Sequence, residues 1–181
     1  MAKGSNAERT VAVDLSLWWS NHERPDLIWR TAGSGARFTT RAKSGKSTAN
    51  SAGDFSYLDL DAKPLFDLFL IENKCGYTDQ IDPLASVDSS KLDILDTWLK
   101  KAYVECQQTH RHYPILIFKR NRKHRCVLIT IPLFNTISQY KLPTLPRIVL
   151  YPQKTVIMGF DEFLNWCTPD IIKDILRKRH Q

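Results

Sequence analysis

GDFSYLDLDAKPLFDLFLIENKCGY, residues 53–77, decides the fold and raises the question of function together. An apolar run from Leu65 to Ile71 is followed at once by Glu72 and Lys74, and 18 positions before Glu72 an acid, Asp54, stands next to Gly53. GDFSYLDL (53–60) reads as a strand and DAKP as a turn. LFDLFLIENK (65–74) reads as a second strand, with the unbroken apolar stretch of a central position. Side chains alternate along a strand, so Glu72 and Lys74 leave the core from one face while Asn73 points to the other. If the strand bearing Asp54 lies beside this one, the carboxylates of Asp54 and Glu72 converge.

Two converging carboxylates are unfavourable unless a cation lies between them. Hard oxygen ligands suit Mg²⁺, with Mn²⁺ able to substitute, and its remaining waters can be activated for attack on a phosphate ester. Lys74 completes such a set, because an ammonium beside the metal orients or deprotonates the attacking water, or neutralises charge developing on the phosphorane. The competing structural reading is a salt bridge at a sheet edge. Asp67 lies five positions before Glu72 in the same run, hence on the opposite face, and reads as structural. Asp59 and Asp61 flank the turn and cap it.

Working outward, residues 1–10 are polar and read as a flexible N-terminus. VAVDLSLWWSNH follows, with Val11, Leu15, Trp18 and Trp19 at helical spacing, and Pro25 marks a turn into an extended segment around Leu27 to Trp29. Residues 33–53, GSGARFTTRAKSGKSTANSAG, are nearly empty of large apolar side chains and form a basic loop. SSKLDILDTWLKKAYVECQQTHRH carries a helical stripe at Leu92, Leu95, Trp98, Leu99, Ala102, Tyr103 and Cys106, opened by the capping-box pair Ser90 and Asp93. Two strands, Ile115 to Phe118 and Cys126 to Ile131, flank the turn KRNRKHR. Residues 132–152 contain four prolines and read as an irregular crossing with one strand at Ile148 to Tyr151, and a helical extension occupies about 160–181, starting at Asp161 and again after Pro169. The order predicts an α/β protein with a mixed central β-sheet flanked by helices, in a single domain over residues 11–181.

Composition points to a polyanionic partner. The 181 residues are 43% hydrophobic, enough for one core, and 26 Lys and Arg against 19 Asp and Glu leave a net charge of +7. Two basic runs bracket the acids in sequence: Arg30, Arg37, Arg41, Lys43 and Lys46 before Asp54, and Lys119, Arg120, Arg122, Lys123 and Arg125 in the later hairpin. Such an arrangement suits a groove that tracks a phosphate backbone, with DNA as the partner. No stretch has the length and apolarity of a membrane span or a signal peptide, which predicts no membrane partner and a cytoplasmic location. The four cysteines are widely spaced and read as buried thiols, and the spacing of Cys106, His110, His112 and Cys126 fits no common zinc finger.

The sequence Gly53-Asp54, the spacer, and Glu72-x-Lys74 after an apolar strand resemble the PD-(D/E)xK nuclease superfamily, with the long helix 90–109 and YPILIFKRNRK standing for the core helix and next strand. RTAGSGAR, Arg30 to Arg37, is similar to the glycine and serine segment that precedes the acid in Holliday junction resolvase-like and phage-encoded endonucleases. The resemblance covers about residues 11–131. It implies a restriction-endonuclease-like core and a Mg²⁺-dependent DNA endonuclease with Asp54, Glu72 and Lys74 as catalytic residues. It further implies Asp54 and Glu72 as metal ligands, and DNA contacts from Arg30, Ser34, Arg37, Arg41, Lys43, Lys119, Arg120 and Arg122. Gly53 stands where the family name has proline. Many resolvase-like members place a further acid on the first helix, for which Asp14 and Glu23 are the candidates. The alternative is a non-catalytic nucleic-acid-binding protein on the same scaffold. Neither the preferred form of DNA nor the assembly, monomer or homodimer, follows from the sequence.

Overall fold

The computed structural model describes residues 3–31, 52–76, 94–150 and 154–179. Most of the expected basic loop 33–53, up to residue 51, and the helix-opening pair Ser90 and Asp93 therefore lie outside the described residues. Helix α1 spans Lys3–Trp19, so residues 3–10, expected as a flexible tail, are its first turns. It buries Val11, Ala12, Leu15 and Trp19, and it ends where Asn21 and His22 take left-handed φ values of 53° and 68°. Ser16 ties α1 to the next strand: its buried hydroxyl accepts from the Ile28 amide at 2.9 Å and donates to the Ala12 carbonyl at 2.8 Å. The indole N–H groups of Trp18 and Trp19 donate to the carbonyls of Leu164 and Asp61, each at 2.8 Å, which fixes the helix at both flanks.

Strands β1 (Ile28–Arg30) and β2 (Phe55–Tyr57) form a short antiparallel pair in which Arg30 lies opposite Phe55. A 3₁₀ turn at Leu60–Ala62, capped by Asp59 accepting from the Asp61 amide, leads into α2 (Lys63–Leu68) and then β3 (Phe69–Cys75). The expected strand 65–74 is thus a helical turn followed by a strand. Pro64 in the first turn presets the helix, Lys63 and Asp67 pair across one turn at 2.6 Å, and Leu65, Phe66 and Leu68 are all buried. An apolar run without a period fits a buried helix as well as a strand, and the proline decides. Asp67 accordingly sits on a helix and not on the far face of β3.

The main sheet has the order β3-β4-β5-β7-β6, with β4 at Tyr113–Lys119, β5 at Arg125–Thr130, β6 at Arg147–Leu150 and β7 at Thr155–Gly159. β3 and β4 are parallel, joined through α3 (Ile94–Gln108), and the remaining pairs are antiparallel. One face packs Leu116, Phe118, Leu128 and Ile157 against Leu95 and Leu99 of α3. The other packs Ile71, Ile115, Ile117, Val127 and Ile129 against α1 and the later helices α4 (Ile131–Ser138), α5 (Phe160–Trp166) and α6 (Pro169–Arg179). Burial on both faces is why the central strands read as unbroken apolar runs.

Two elements lie where none was expected: α4 at the start of the irregular crossing 132–152, and β7 just after it. α4 forms because Thr130 caps it, accepting from the Leu133 amide at 3.4 Å, while Pro132 takes a first-turn position where no amide is needed. β7 inserts between β5 and β6, so TVIMG is a central strand hidden behind four prolines. Removing the Ser16 hydroxyl leaves the buried Ile28 amide without an acceptor, a cost of about 1–3 kcal/mol. Ser16→Ala should lower the urea unfolding midpoint accordingly with the slope unchanged, measured by circular dichroism.

Candidate active site

Alternation along β3 sends Leu70 and Glu72 to the α3 side, where Leu70 packs on Ala102 and Cys106, and sends Ile71 and Asn73 to the α1 side. Lys74 follows Glu72: its Nζ lies 2.6 Å from Glu72 Oε2 and 3.7 Å from Asp54 Oδ2. Asp54 reaches this point without belonging to the main sheet. Its amide donates to the Ile71 carbonyl at 3.0 Å, and its Oδ2 accepts from the Asn73 amide at 2.8 Å. The carboxylate therefore takes the place of a strand carbonyl on the outer edge of β3. The expected side-by-side pairing of the Asp54 strand with β3 is replaced by this single-residue contact, since β2 pairs with β1 instead.

Gly53 makes the approach possible. Its φ is +71°, and a Cβ there would stand 2.8 Å from the Ile71 carbonyl oxygen. The Gly53 amide donates to Glu105 Oε1 on α3 at 2.9 Å, and Arg111 holds the neighbouring Ala52 carbonyl at 3.1 Å. Glu105 was not picked out from the sequence. The available signal was its place at the border of the Ala102 and Cys106 stripe, in the C-terminal half of α3 where the helix dipole disfavours an acid.

Three carboxylates, Asp54, Glu72 and Glu105, gather against the cations Lys74 and Arg111. Asp54 is only 5% exposed. Burial, reinforced by the Asp54 charge and opposed by Lys74, pushes the Glu72 carboxyl up to about 7, with Glu105 adding to the rise. The donor set fits a hard divalent cation: two carboxylates lie within reach of one positive centre, and the local negative charge is incompletely compensated. Glu105 stands behind them as a holder of the Gly53 turn, and among the described residues no group of three His, Cys, Asp or Glu is gathered in metal-binding geometry. Cys106 is buried with its Sγ against the Arg111 carbonyl at 3.2 Å.

The other sequence candidates separate. Asp14 pairs with Arg125 and Glu23 is exposed in the turn after α1, so neither joins Asp54 and Glu72. Glu8 of the first helix is largely buried and 3.1 Å from Arg30 Nε, which commits Arg30 to an internal ion pair. Ser34, Arg37, Arg41 and Lys43 lie outside the described residues. Lys119, Arg120 and Arg122 lie at the carboxyl end of β4, where Lys119 is the neighbour of Cys75.

Gly53→Ala combines a disfavoured φ with a backbone clash and should destabilise the protein by about 2 kcal/mol or more, by chemical denaturation. Glu105→Gln, which keeps an acceptor, should be far milder than Glu105→Ala. The elevated Glu72 carboxyl has a definite sign. The folded state holds its proton up to about 7 while the unfolded chain releases it near 4.5, so this group's contribution is present at low pH and is lost as pH rises between those values. Without divalent cations, stability should fall from pH 5 to 8, and Glu72→Gln should flatten that slope by up to about 3 kcal/mol, measured by urea denaturation at each pH.

Comparison with known proteins adds one assignment. A family model described as "Phage putative PDDEXK endonuclease" matches residues 1–174. No curated protein and no solved structure gives a match. The mixed sheet flanked by helices is the restriction-endonuclease-like fold, and the matched span runs from α1 well into α6. The chain therefore belongs to the phage PD-(D/E)xK endonuclease family.

Proposed function

We propose that the protein hydrolyses DNA phosphodiester bonds as an endonuclease dependent on a divalent cation, Mg²⁺ with Mn²⁺ able to substitute, within a single domain over residues 11–181. The observation that carries this reading is the Lys74 ammonium within 3.7 Å of Asp54 and 2.6 Å of Glu72, a positive centre held by two carboxylates that burial has brought together. Asp54 and Glu72 would hold the cation. When bound, it supplies charge neutralisation at the phosphate and a more acidic water. Glu72 must release its proton to serve, so cation affinity rises as pH passes through about 7. Lys74 orients the attacking water and donates to the phosphate oxygen on which charge develops. Asp54, fixed by the Asn73 amide, supplies an anionic oxygen that needs no reorganisation.

Lys119 and its neighbours contact the backbone of the DNA and carry no base reading, in keeping with selection by DNA structure as in resolvase-like enzymes. The site of action is the host cytoplasm.

Cleavage of plasmid and branched DNA across a Mg²⁺ titration, beside gel-shift binding in a chelator, tests the assignment. Glu72→Gln should lose cleavage and require more Mg²⁺, while binding in chelator persists. Lys74→Ala should lose at least about 100-fold in rate with Mg²⁺ dependence retained, the scale of a lost transition-state donor. Parental turnover in Lys74→Ala removes the reading. Binding without cleavage by the parent under all cations marks a binding protein on the same scaffold.

A further inference from the structure

The β4–β5 turn, α1 and the α1-facing side of β3 enclose a pocket of about 320 Å³. Lys119, Arg120, Arg122 and Arg125 line it, with Thr10 and Asn73 between them, and no acid is among the described lining residues. Arg125 is rigidly placed, paired with Asp14 and lying 4.8 Å from the centroid of the Phe160 ring. Its Nη1 is buried without a hydrogen-bond partner among the described residues. Lys119, Arg120 and Arg122, beside an Arg125 that Asp14 offsets, leave a net positive potential in a small concavity, and an anion of matching size is what neutralises it.

Size and position narrow that anion. Small-ligand sites run from about 300 to 1,000 Å³, so this one admits a single nucleotide and excludes a duplex. β3 is the edge strand of the main sheet, and Asn73 serves both sides of it: its amide holds Asp54 while its side chain faces the pocket. A strand with a phosphodiester at Asp54 and Glu72 therefore reaches the pocket mouth by crossing one β-strand. An unpaired nucleotide can make that crossing, whereas a paired one must first be unstacked and separated from its complement.

We propose that the pocket seats one phosphate-bearing nucleotide of an unpaired DNA strand beside the scissile bond, so that duplex carrying a single-stranded arm is preferred over uninterrupted duplex. This rests on the nuclease reading above and names the substrate class for it. The test uses the full chain in chelator, with fluorescence anisotropy on a blunt duplex and on the same duplex with a short arm. The armed DNA should bind about tenfold tighter, a difference that one pocket with several phosphate-facing cations can supply, and millimolar dTMP should abolish the difference. Ala7→Trp, which fills the pocket from α1 without removing charge, should bring the armed affinity down to the blunt value. So should Arg122→Ser in the exposed turn, which decides the matter if Ala7→Trp fails to fold by circular dichroism. Equal parental affinity for the two DNAs overturns the proposal, as does a folded Ala7→Trp protein that keeps the preference. Cleavage of the same DNAs with Mg²⁺ separates the two readings. An armed-DNA preference without cleavage supports the pocket and removes the nuclease reading, while cleavage of both DNAs with equal affinity does the reverse.

Discussion

The Asn73 amide at the outer edge of β3 has to find an acceptor, and the Asp54 carboxylate is that acceptor. An edge strand leaves a row of backbone donors exposed, and a buried one left unmet costs about 1–3 kcal/mol. Here a charge-assisted bond of 2.8 Å meets it, while the Asp54 amide meets the Ile71 carbonyl one step along. The carboxylate is thereby fixed by the same bonding that completes the sheet edge. Every other feature of the site follows from it: Gly53 must be without a Cβ to pass Ile71, Glu105 must reach across from α3 to hold the Gly53 amide, and Glu72, two strand steps from Leu70, must share its space with Asp54.

That sharing works against stability. A core optimised for stability alone would not bring Asp54, Glu72 and Glu105 together behind Lys74 and Arg111 among the described residues, and burial beside Asp54 raises the Glu72 carboxyl as a result. Local departures from the rules of a stable core are expected where chemistry is done. The cost is contained because each acid has a distinct partner: Asp54 the Asn73 amide, Glu105 the Gly53 amide, and Glu72 the Lys74 ammonium. Glu72 is the one whose partner is a side chain and not a backbone group, which leaves it as the carboxylate whose pairing is not set by the sheet.

The convergence of Asp54, Glu72 and Lys74 was legible because it depends on strand alternation and a glycine beside an acid, both visible in one dimension. The helix now seen at Ile94–Gln108, the hairpin around KRNRKHR and the helix after Pro169 were legible for the same reason: their periods are written in the chain. Leu65 to Leu68 were not, since an apolar run without a period is silent on helix against strand until the effect of Pro64 is weighed. α4 and β7 were hidden by prolines that lie at a helix start and outside the strand, where they do no harm. Glu105 and Ser16 are tertiary facts. Nothing along the chain announces that a helix acid will hold a glycine amide 52 positions away, or that a serine inside an apolar helix will accept from a strand.

Among the described residues the two sides of β3 differ in charge, and on the proposed reading this orders the encounter with a polyanion. On the α3 side the described groups are three carboxylates, of which Glu72 keeps its proton up to about 7, against Lys74 and Arg111, so no excess of positive charge draws a phosphate in. On the α1 side, Lys119, Arg120, Arg122 and Arg125 surround a pocket with no described acid, so a phosphate is attracted from the outset. One strand separates these fields, and within a low-dielectric sheet edge neither is well screened by the solvent. On the proposed reading, a nucleic acid is held first by its backbone on the basic side, and the reacting phosphate enters the carboxylate side when its charge has been matched there. On that reading, charge separates binding from bond cleavage across the thickness of a single strand whose Asn73 is common to both sides.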